Sequence, residues 1–399
     1  MTSQEVFDLY SRCVIGNYGR LPVVIVKAQG SQMWDIDGKR YLDLFPGWGC
    51  SLLGHCHPRV VEAIREQVGR LIHVDNTFYT VEQGRLAEML SRHSFGGQCF
   101  FSNSGAEANE GAIKLARKHA GQGRYRIITM EKSFHGRTFG AMSATAQSKT
   151  HAGFEPLLPG FVYVPFDDVD AVARAITDET AAVMLEPVQG EGGINIPSDD
   201  YLPKIRELCD EHNLLLILDE VQTGVGRTGK WFGYQHSNIE PDIVTMAKAL
   251  GNGAPIGAII AQPDVAAAFT PGSHASTYGA NCLVVAAAIA TLETIESEGL
   301  LERVDRISAY IVDRARAMQQ RFGFIEEVRA RGLMIAIQLS LPGAAIVSSA
   351  LEKGLRINCT QGNVIRLLPA MTITTQEVDE AFEIMTAAFA ESESKLVTT

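Results

Sequence analysis

The chain has 399 residues, 46% of them apolar and 20% charged, a balance that suits a globular protein with a large core and about two or three structural domains. Its formal net charge of −11 excludes a general nucleic-acid or anionic-membrane binder, because such partners attract an excess of Lys and Arg. Small anionic ligands, which respond to local charge, stay open.

The start, Met1-Thr2-Ser3-Gln4-Glu5, lacks the basic residues and apolar stretch of a signal peptide. The longest apolar stretch, Leu283 to Leu292, is about half of the ~20 residues that span a bilayer, so no membrane segment is expected. The cysteines Cys13, Cys50, Cys56, Cys99, Cys209, Cys282 and Cys359 are scattered and show no CxxC spacing. That argues against a disulfide framework or a zinc ribbon and fits a reducing, cytoplasmic setting.

In chain order, His55-Cys56-His57-Pro58 offers good donors for zinc or copper. No second cluster completes a metal site, so a turn before a helix starting near Pro58 is expected. Short apolar runs then alternate with helical patterns: Cys99 to Ser102, Arg126 to Met130, Ala181 to Leu185, Leu214 to Leu218 and Ile256 to Ala261. The alternation predicts an α/β architecture with a mostly parallel sheet, and Leu214 to Leu218, apolar on both faces, belongs near its centre. From about Leu283 the pattern changes to two helices, a strand-like Gly332 to Leu339 and short strands around Arg356 and Arg366. A final helix follows Thr374-Thr-Gln-Glu377, which has the form of a capping box. This ending reads as a smaller α+β domain, with a weakly patterned tail after about Glu391 that is expected to fray.

Gly224-Val-Gly226-Arg-Thr-Gly229 matches GxGxxG. A dinucleotide site needs those glycines at the immediate exit of a strand and a helix opening on them. Here Asp219 to Thr223 intervene and Lys230-Trp-Phe-Gly233 is a poor helix start. As a P-loop the same run fails at Trp231, which stands where Ser or Thr would hold Mg²⁺. A glycine-rich turn is the default; a nucleotide site there would predict ATP or NAD binding.

Lys248 is the only charge between Ile243 and Gly251. Burial disfavours an ammonium and frees an amine for Schiff-base chemistry, although a lysine snorkelling to the surface is an equally ordinary reading of such a segment. Asp219 falls at the carboxyl end of the central apolar run, the edge where open α/β sheets bind ligands. A carboxylate there could hold a pyridinium nitrogen protonated; alone, it could equally cap a turn. Ser102 to Ala106 joins a short strand to the helical run Glu107 to His119, so backbone N–H groups and the positive helix end converge as a phosphate cradle or a simple N-cap. Ser133-Phe134-His135-Gly136-Arg137 adds a ring for stacking and a guanidinium suited to gripping a carboxylate in two places.

Together these segments resemble the class III, or omega, aminotransferases of the pyridoxal-phosphate (PLP) fold-type I family, and the likeness runs from about Tyr18 to Pro369. The matching motifs are Ser102 to Asn109, Phe134-His-Gly-Arg-Thr138, Glu186-Pro-Val-Gln-Gly-Glu-Gly-Gly193, Asp219-Glu-Val-Gln-Thr-Gly224 and Ala247-Lys-Ala-Leu-Gly251. The closest similarity is to acetylornithine and ornithine aminotransferases. The resemblance implies a large PLP-binding domain over 51–282, its mostly parallel sheet flanked by helices, and a small α+β domain built from 1–50 and 283–399.

The resemblance also implies roles. Lys248 would hold PLP as a Schiff base, Asp219 would pair with the pyridine nitrogen, and Gln222 would lie by the ring's phenolic oxygen. Phe134 and Val221 would sandwich the ring; Ser104, Gly105 and Ala106 would cradle the phosphate; His135 and Glu186 complete the implied cofactor site. The family usually has Thr where Ala106 stands, which removes a hydroxyl and leaves the N–H. Thr277 would reach the phosphate of the neighbouring subunit, which implies a homodimer. Arg137 and Arg366 would anchor the carboxylates of 2-oxoglutarate, and Glu191 would pair with Arg366 while an omega-amine donor is bound. Tyr18 matches a carboxylate-binding tyrosine of ornithine aminotransferases, and Trp48 fills a position that is smaller in many acetylornithine enzymes. The implied activity moves the terminal amino group of N2-acetylornithine or ornithine to 2-oxoglutarate, in arginine biosynthesis, with 4-aminobutyrate and diamines as competing donors. A catalytically silent PLP-binding protein is the alternative from another class.

Overall fold

The computed structural model describes residues 1–397. Its central feature is a seven-stranded sheet in the order Gln98–Ser102, Gly257–Ala261, Ile243–Met246, Leu215–Asp219, Thr180–Leu185, Arg126–Met130, Phe161–Val164. The last five of these run parallel, while Gly257–Ala261 is antiparallel to both of its neighbours. Leu215–Asp219 lies fourth of the seven and is buried at every residue. That is what a run apolar on both faces requires when helices cover both sides. The strand is displaced by one residue from the apolar run, so Asp219 is its last residue.

Two strands escape the apolar-run reading. Phe161–Val164 is a four-residue edge strand, and Ile243–Met246 merges in sequence with the apolar turn that carries Lys248. The helix Gly105–Ala120 starts two residues before the predicted run, with Ser104 as its N-cap. The helix Cys282–Ser297 packs against Pro58–Val68 and Val81–His93. A domain boundary at 282/283 therefore coincides with the start of a helix that packs on elements of the 51–282 segment.

Outside the central sheet, Ile25–Gln29, Gln32–Asp35 and Arg40–Asp43 form an antiparallel ribbon, whose last strand pairs in parallel with Leu355–Arg356. An antiparallel sheet follows in the order Ile325–Arg331, Met334–Leu339, Val364–Leu367, Asn358–Thr360. The capping box forms: Thr374 N donates to Glu377 Oε2 (2.9 Å) and Glu377 N to Thr374 Oγ1 (3.2 Å). Residues 398–399 lie outside the described ones, and where a weakly patterned tail was expected after about Glu391 the helix Thr375–Val397 continues. Its buried stripe of Val378, Ala381, Phe382, Met385, Ala388 and Phe389 anchors the preceding turns, and each further residue then adds one helical hydrogen bond.

Gly224 to Gly229 is a series of turns on which no helix opens, and His55 of the His-Cys-His-Pro run pairs with Asp43 Oδ2 at 2.9 Å. Among the described residues no helix is long and apolar enough to cross a membrane.

Candidate active site

The carboxyl ends of the parallel strands, the start of Gly105–Ala120 and the Lys248 turn enclose a cavity of about 460 Å³. That is the size of a small-cofactor site. Of the residues expected to serve the site, Ser104, Gly105, Ala106, Phe134, His135, Arg137, Glu186, Glu191, Asp219, Val221, Gln222 and Lys248 all line it.

Asp219 ends the central strand and is almost fully buried. Its Oδ2 accepts from Asn109 Nδ2 and faces His135 Nδ1, both at 2.8 Å, and its Oδ1 accepts from Val221 N at 3.0 Å. Burial alone would push the His135 imidazole down; the hydrogen bond and negative charge of Asp219 outweigh it and hold the ring above its usual value. His135 Nδ1 and Asp219 Oδ2 thus stand within ion-pairing distance in a buried setting.

Asn109, to which its motif alone gives no role, is the organiser of this cluster. Its amide donates to the His135 carbonyl (2.7 Å) as well as to Asp219. These two acceptors fix which end of the amide points where, leaving Oδ1 to accept from Thr245 Oγ1 at 2.6 Å. The available signal was polarity at two covered positions: Asn109 on the helix face shared with Ala108, Ala112 and Ile113, and Thr245 inside Ile243–Met246. Cys50 and Asn103 also line the cavity without being singled out by the motifs.

Glu186 accepts from Phe134 N (3.1 Å) and Gly190 N (3.2 Å), tying the aromatic wall to the loop beyond it. Burial pushes its carboxyl up to about 7. Two glycines allow the walls to close. A side chain on Gly105 would place a Cβ 2.8 Å from Val221 Cγ1, and one on Gly136 (φ +139°) would place it 2.8 Å from Ala106 Cβ.

Ser104 Oγ caps Glu107 N at 3.2 Å. The N–H groups of Gly105 and Ala106, which the first turn of a helix cannot use internally, remain at the cavity these residues line. Lys248 follows Ile243–Met246 in the left-handed region at φ +43°, a conformation that a non-glycine residue holds only where its surroundings over-determine it. Among the described residues its Nζ makes no hydrogen bond or ion pair.

Arg366, expected at the site, does not itself line the cavity: it is completely buried behind Glu191, with Nη1 2.7 Å from Glu191 Oε1 and Nη2 3.3 Å from Oε2. Burial alone would raise the Glu191 carboxyl; the charge and hydrogen bonds of Arg366, with Lys248 behind them, outweigh it and hold it below its usual value. Arg137 is exposed, 5.4 Å from the Phe134 ring centre, and has no acidic partner among the described residues.

Three expected residues lie elsewhere on this chain. Trp48 (φ +61°) lines a second cavity of about 650 Å³ with Tyr10, Arg20 and Arg356, although its ring stands 5.8 Å from the Arg366 guanidinium. Tyr18 is 69% exposed beside Arg20. Thr277 is exposed in a surface pocket with Asn103 and Ser276.

The cavity fits PLP group by group. It supplies an amine for an aldehyde at Lys248, a buried carboxylate for a ring nitrogen at Asp219, and helix-end N–H groups for a phosphate. The buried Gln222 Oε1, which has no hydrogen-bond partner among the described residues, suits a ring hydroxyl.

The class-III aminotransferase family model matches residues 15–389. The acetylornithine aminotransferase of Caldanaerobacter subterraneus subsp. tengcongensis is 51% identical over 377 residues, 93% of this chain and 96% of that protein. That of Methanocaldococcus jannaschii is 47% identical over 395 residues, 98% and 99% of the two chains. The crystal structure of the ornithine aminotransferase of Toxoplasma gondii superposes with a TM-score of 0.94 at 35% identity, covering 99% of this chain and 96% of that one. A Lys–Asp–helix-end cavity at the strand ends of this fold, in a chain so nearly matched from end to end, belongs to a PLP-dependent aminotransferase of class III.

Proposed function

We propose that the enzyme moves the terminal amino group of N2-acetylornithine to 2-oxoglutarate, giving a semialdehyde and glutamate. The observation that carries this reading is the pair of Glu191 with the buried Arg366 beside Lys248, while Arg137 at the cavity has no acidic partner among the described residues. A dicarboxylic acceptor needs two cations, whereas an omega-amine donor brings its amine to Lys248 with only one carboxylate to anchor. Glu191 neutralises the second cation while the donor is bound and turns away when 2-oxoglutarate arrives. Relatives at 44–51% identity carry the acetylornithine name, which favours that donor over ornithine, 4-aminobutyrate and diamines.

The chain's own residues would then divide the work. Lys248, Asp219, Gln222, Phe134, Val221 and the Ser104–Ala106 turn hold PLP, which supplies electron withdrawal from the carbon bearing the amine. Asp219, steadied by His135 and Asn109, keeps the ring nitrogen protonated. Lys248 Nζ removes a proton from the amine-bearing carbon of the substrate. Arg137 anchors the donor's carboxylate so that the C–H bond faces that lysine, and Arg137 and Arg366 together orient the two carboxylates of 2-oxoglutarate.

The exposed Thr277 beside Tyr278, with Phe78 and Tyr79 also exposed, supports a homodimer in which Thr277 serves the neighbour's phosphate. Seven free cysteines support a cytoplasmic location. A donor panel with 2-oxoglutarate tests the substrate: acetylornithine should give the highest kcat/KM, and a preference for 4-aminobutyrate or putrescine would overturn the choice.

A further inference from the structure

The loop that carries Glu191 is fastened at two levels. Its neck is closed by an isolated bridge, in which Gln189 and Asn195 exchange backbone hydrogen bonds of 3.0 and 3.1 Å, and Gln189 Nε2 donates at 2.8 Å to the carbonyl of Glu131, the residue after the central-sheet strand Arg126–Met130. Its tip is held from the C-terminal antiparallel sheet. Thr360 Oγ1 and Gln361 Nε2 each donate to the Glu191 carbonyl at 2.8 Å, and Arg366 Nη1 to the Gly190 carbonyl at 3.0 Å. Arg329 Nε donates to the Ile194 carbonyl at 2.8 Å and its Nη2 to the Gly193 carbonyl at 2.6 Å.

Arg329 is set up for this grip. It projects from Ile325–Arg331, where Glu327 Oε2 (2.8 Å) and Gln338 Oε1 (3.2 Å) orient its guanidinium. It does not line the cavity, and its bonds run to the loop backbone rather than to any residue expected to hold cofactor or substrate. The segment it holds is strained, since Ile194 is fully buried at φ +55°, where a β-branched side chain crowds its own backbone. Such a conformation persists when fixed contacts over-determine it, and the forked pair of bonds from Arg329 supplies them.

We propose that Arg329 is a positioning residue for donor selection. By gripping Gly193 and Ile194 it makes the Glu191 backbone travel with the strand that carries Arg366. Glu191 then releases and recaptures Arg366 by rotating its side chain, without the loop leaving. The inference rests on the reading of Glu191 as the residue that masks Arg366 from alpha-amino donors. With the grip lost, the carboxylate no longer returns to Arg366 reliably, and an alpha-amino acid such as glutamate gains access to a cation that omega-amine donors do not use.

The test compares single-turnover half-reactions of the PLP-loaded enzyme with acetylornithine and with glutamate. Arg329→Gln should shift the ratio of the two specificity constants toward glutamate by about tenfold, mainly through the apparent affinity for glutamate, while Arg329→Lys restores part of it. PLP affinity, read from visible absorbance, should stay within about twofold, which a general loss of structure would not allow. Gln361→Gly covers the case in which Arg329→Gln folds poorly. Gln361 is exposed at φ +52°, a conformation glycine accepts, so only the amide is lost; a shift of about threefold in the same direction is expected. A ratio unchanged in both variants, while Glu191→Ala shifts it, overturns the role of Arg329 and leaves the masking role of Glu191 standing. A ratio unchanged in Glu191→Ala as well overturns the masking role itself.

Discussion

At the Asp219 end of the cavity, Thr245, Asn109, His135 and Asp219 form one buried chain of hydrogen bonds anchored on the central sheet and the helix beside it. At the Glu191 end, a loop is tied to the antiparallel sheet that carries Arg366, and Arg137 stands exposed without an acidic partner among the described residues. The first end is rigid because most of its hydrogen bonds are made before any ligand arrives, His135 Nε2 being the exception, which suits a cofactor that stays. The second can exchange partners, which suits two substrates that alternate. A buried carboxylate that already accepts two or three bonds gains little by moving; an ion pair open at one side can be traded for a substrate carboxylate of equal charge.

The largest expected effect lies where the two ends meet. Lys248→Ala should abolish the visible absorbance that a lysine-bound PLP gives and lower kcat by about a thousandfold or more, since both attachment and proton transfer are lost. The far-ultraviolet spectrum should be unchanged. An enzyme that kept its absorbance would place the attachment on another lysine and break the assignment of this cavity.

A second effect tests whether the Asp219 end is as rigid as its bonds suggest. Glu220, next in sequence, is fully buried and accepts from Gly233 N and Tyr234 N, both at 2.9 Å, and from Thr223 Oγ1. It thereby fixes the turn that carries Val221 and Gln222. Burial pushes its carboxyl up to about 7, against the pull of those donors. A folded value above the unfolded one means that the folded chain binds more protons between about pH 4.5 and 7. The stability this gives is complete below that window and is lost as pH rises through it. Glu186, also held up to about 7, adds in the same direction. The cofactor-free chain should resist denaturant better at pH 5 than at pH 8. In Glu220→Gln that difference should shrink by up to about 3 kcal/mol, in denaturation midpoints measured at both pH values. An unchanged difference would show that Glu220 stays ionised and that the turn tolerates a buried charge.

The same contrast explains what the sequence made legible. The Asp219 end is assembled from five short motifs, each carrying its chemistry within about ten residues, so Lys248, Asp219, Ser104 and Phe134 could be read from local pattern and meet in the structure. Asn109 and Thr245 could not be given roles, because a buried polar residue names its partner only once the helix Gly105–Ala120 lies on the strand Ile243–Met246. At the other end the pairing of Glu191 with Arg366 came from family likeness alone. Nothing local links residues separated by 175 positions, and the hold of Arg329 on Gly193 and Ile194 spans 136 and 135. Tyr18 and Trp48 show the limit of motif reading in one chain: Tyr18 matches a carboxylate-binding tyrosine of the family and Trp48 departs from the smaller residue of many acetylornithine enzymes, and neither lines the Lys248 cavity of this chain. The fold was legible for a simpler reason, that a strand buried on both faces must be apolar throughout. The short edge strand Phe161–Val164 lacked the length for that signal.

Thr277 tests the comparison at its smallest scale, by asking whether the cofactor end is complete within one chain. The loop around it is tied down, with Asn76 Nδ2 donating to the Ser276 and Gly279 carbonyls (3.2 and 2.9 Å) and Asn103 Nδ2 to Ser276 Oγ (3.2 Å). The Thr277 hydroxyl itself makes no hydrogen bond among the described residues, which suits a group meant for a neighbour's phosphate. If Thr277 serves the phosphate in the proposed homodimer, losing one hydrogen bond to an anion should weaken PLP binding by about tenfold in Thr277→Val, with the oligomeric mass unchanged. Heterodimers then assign the owner of the bond. With Lys248→Ala and Thr277→Val on the same chain, the one lysine-bearing site belongs to the intact chain and draws its threonine from the altered neighbour, so binding there should be weak. With the two substitutions on opposite chains, that site has its own lysine and an intact threonine from across the interface, and binding should match the unaltered enzyme. The reverse pattern would mean that Thr277 serves its own subunit and that each chain builds its cofactor end alone.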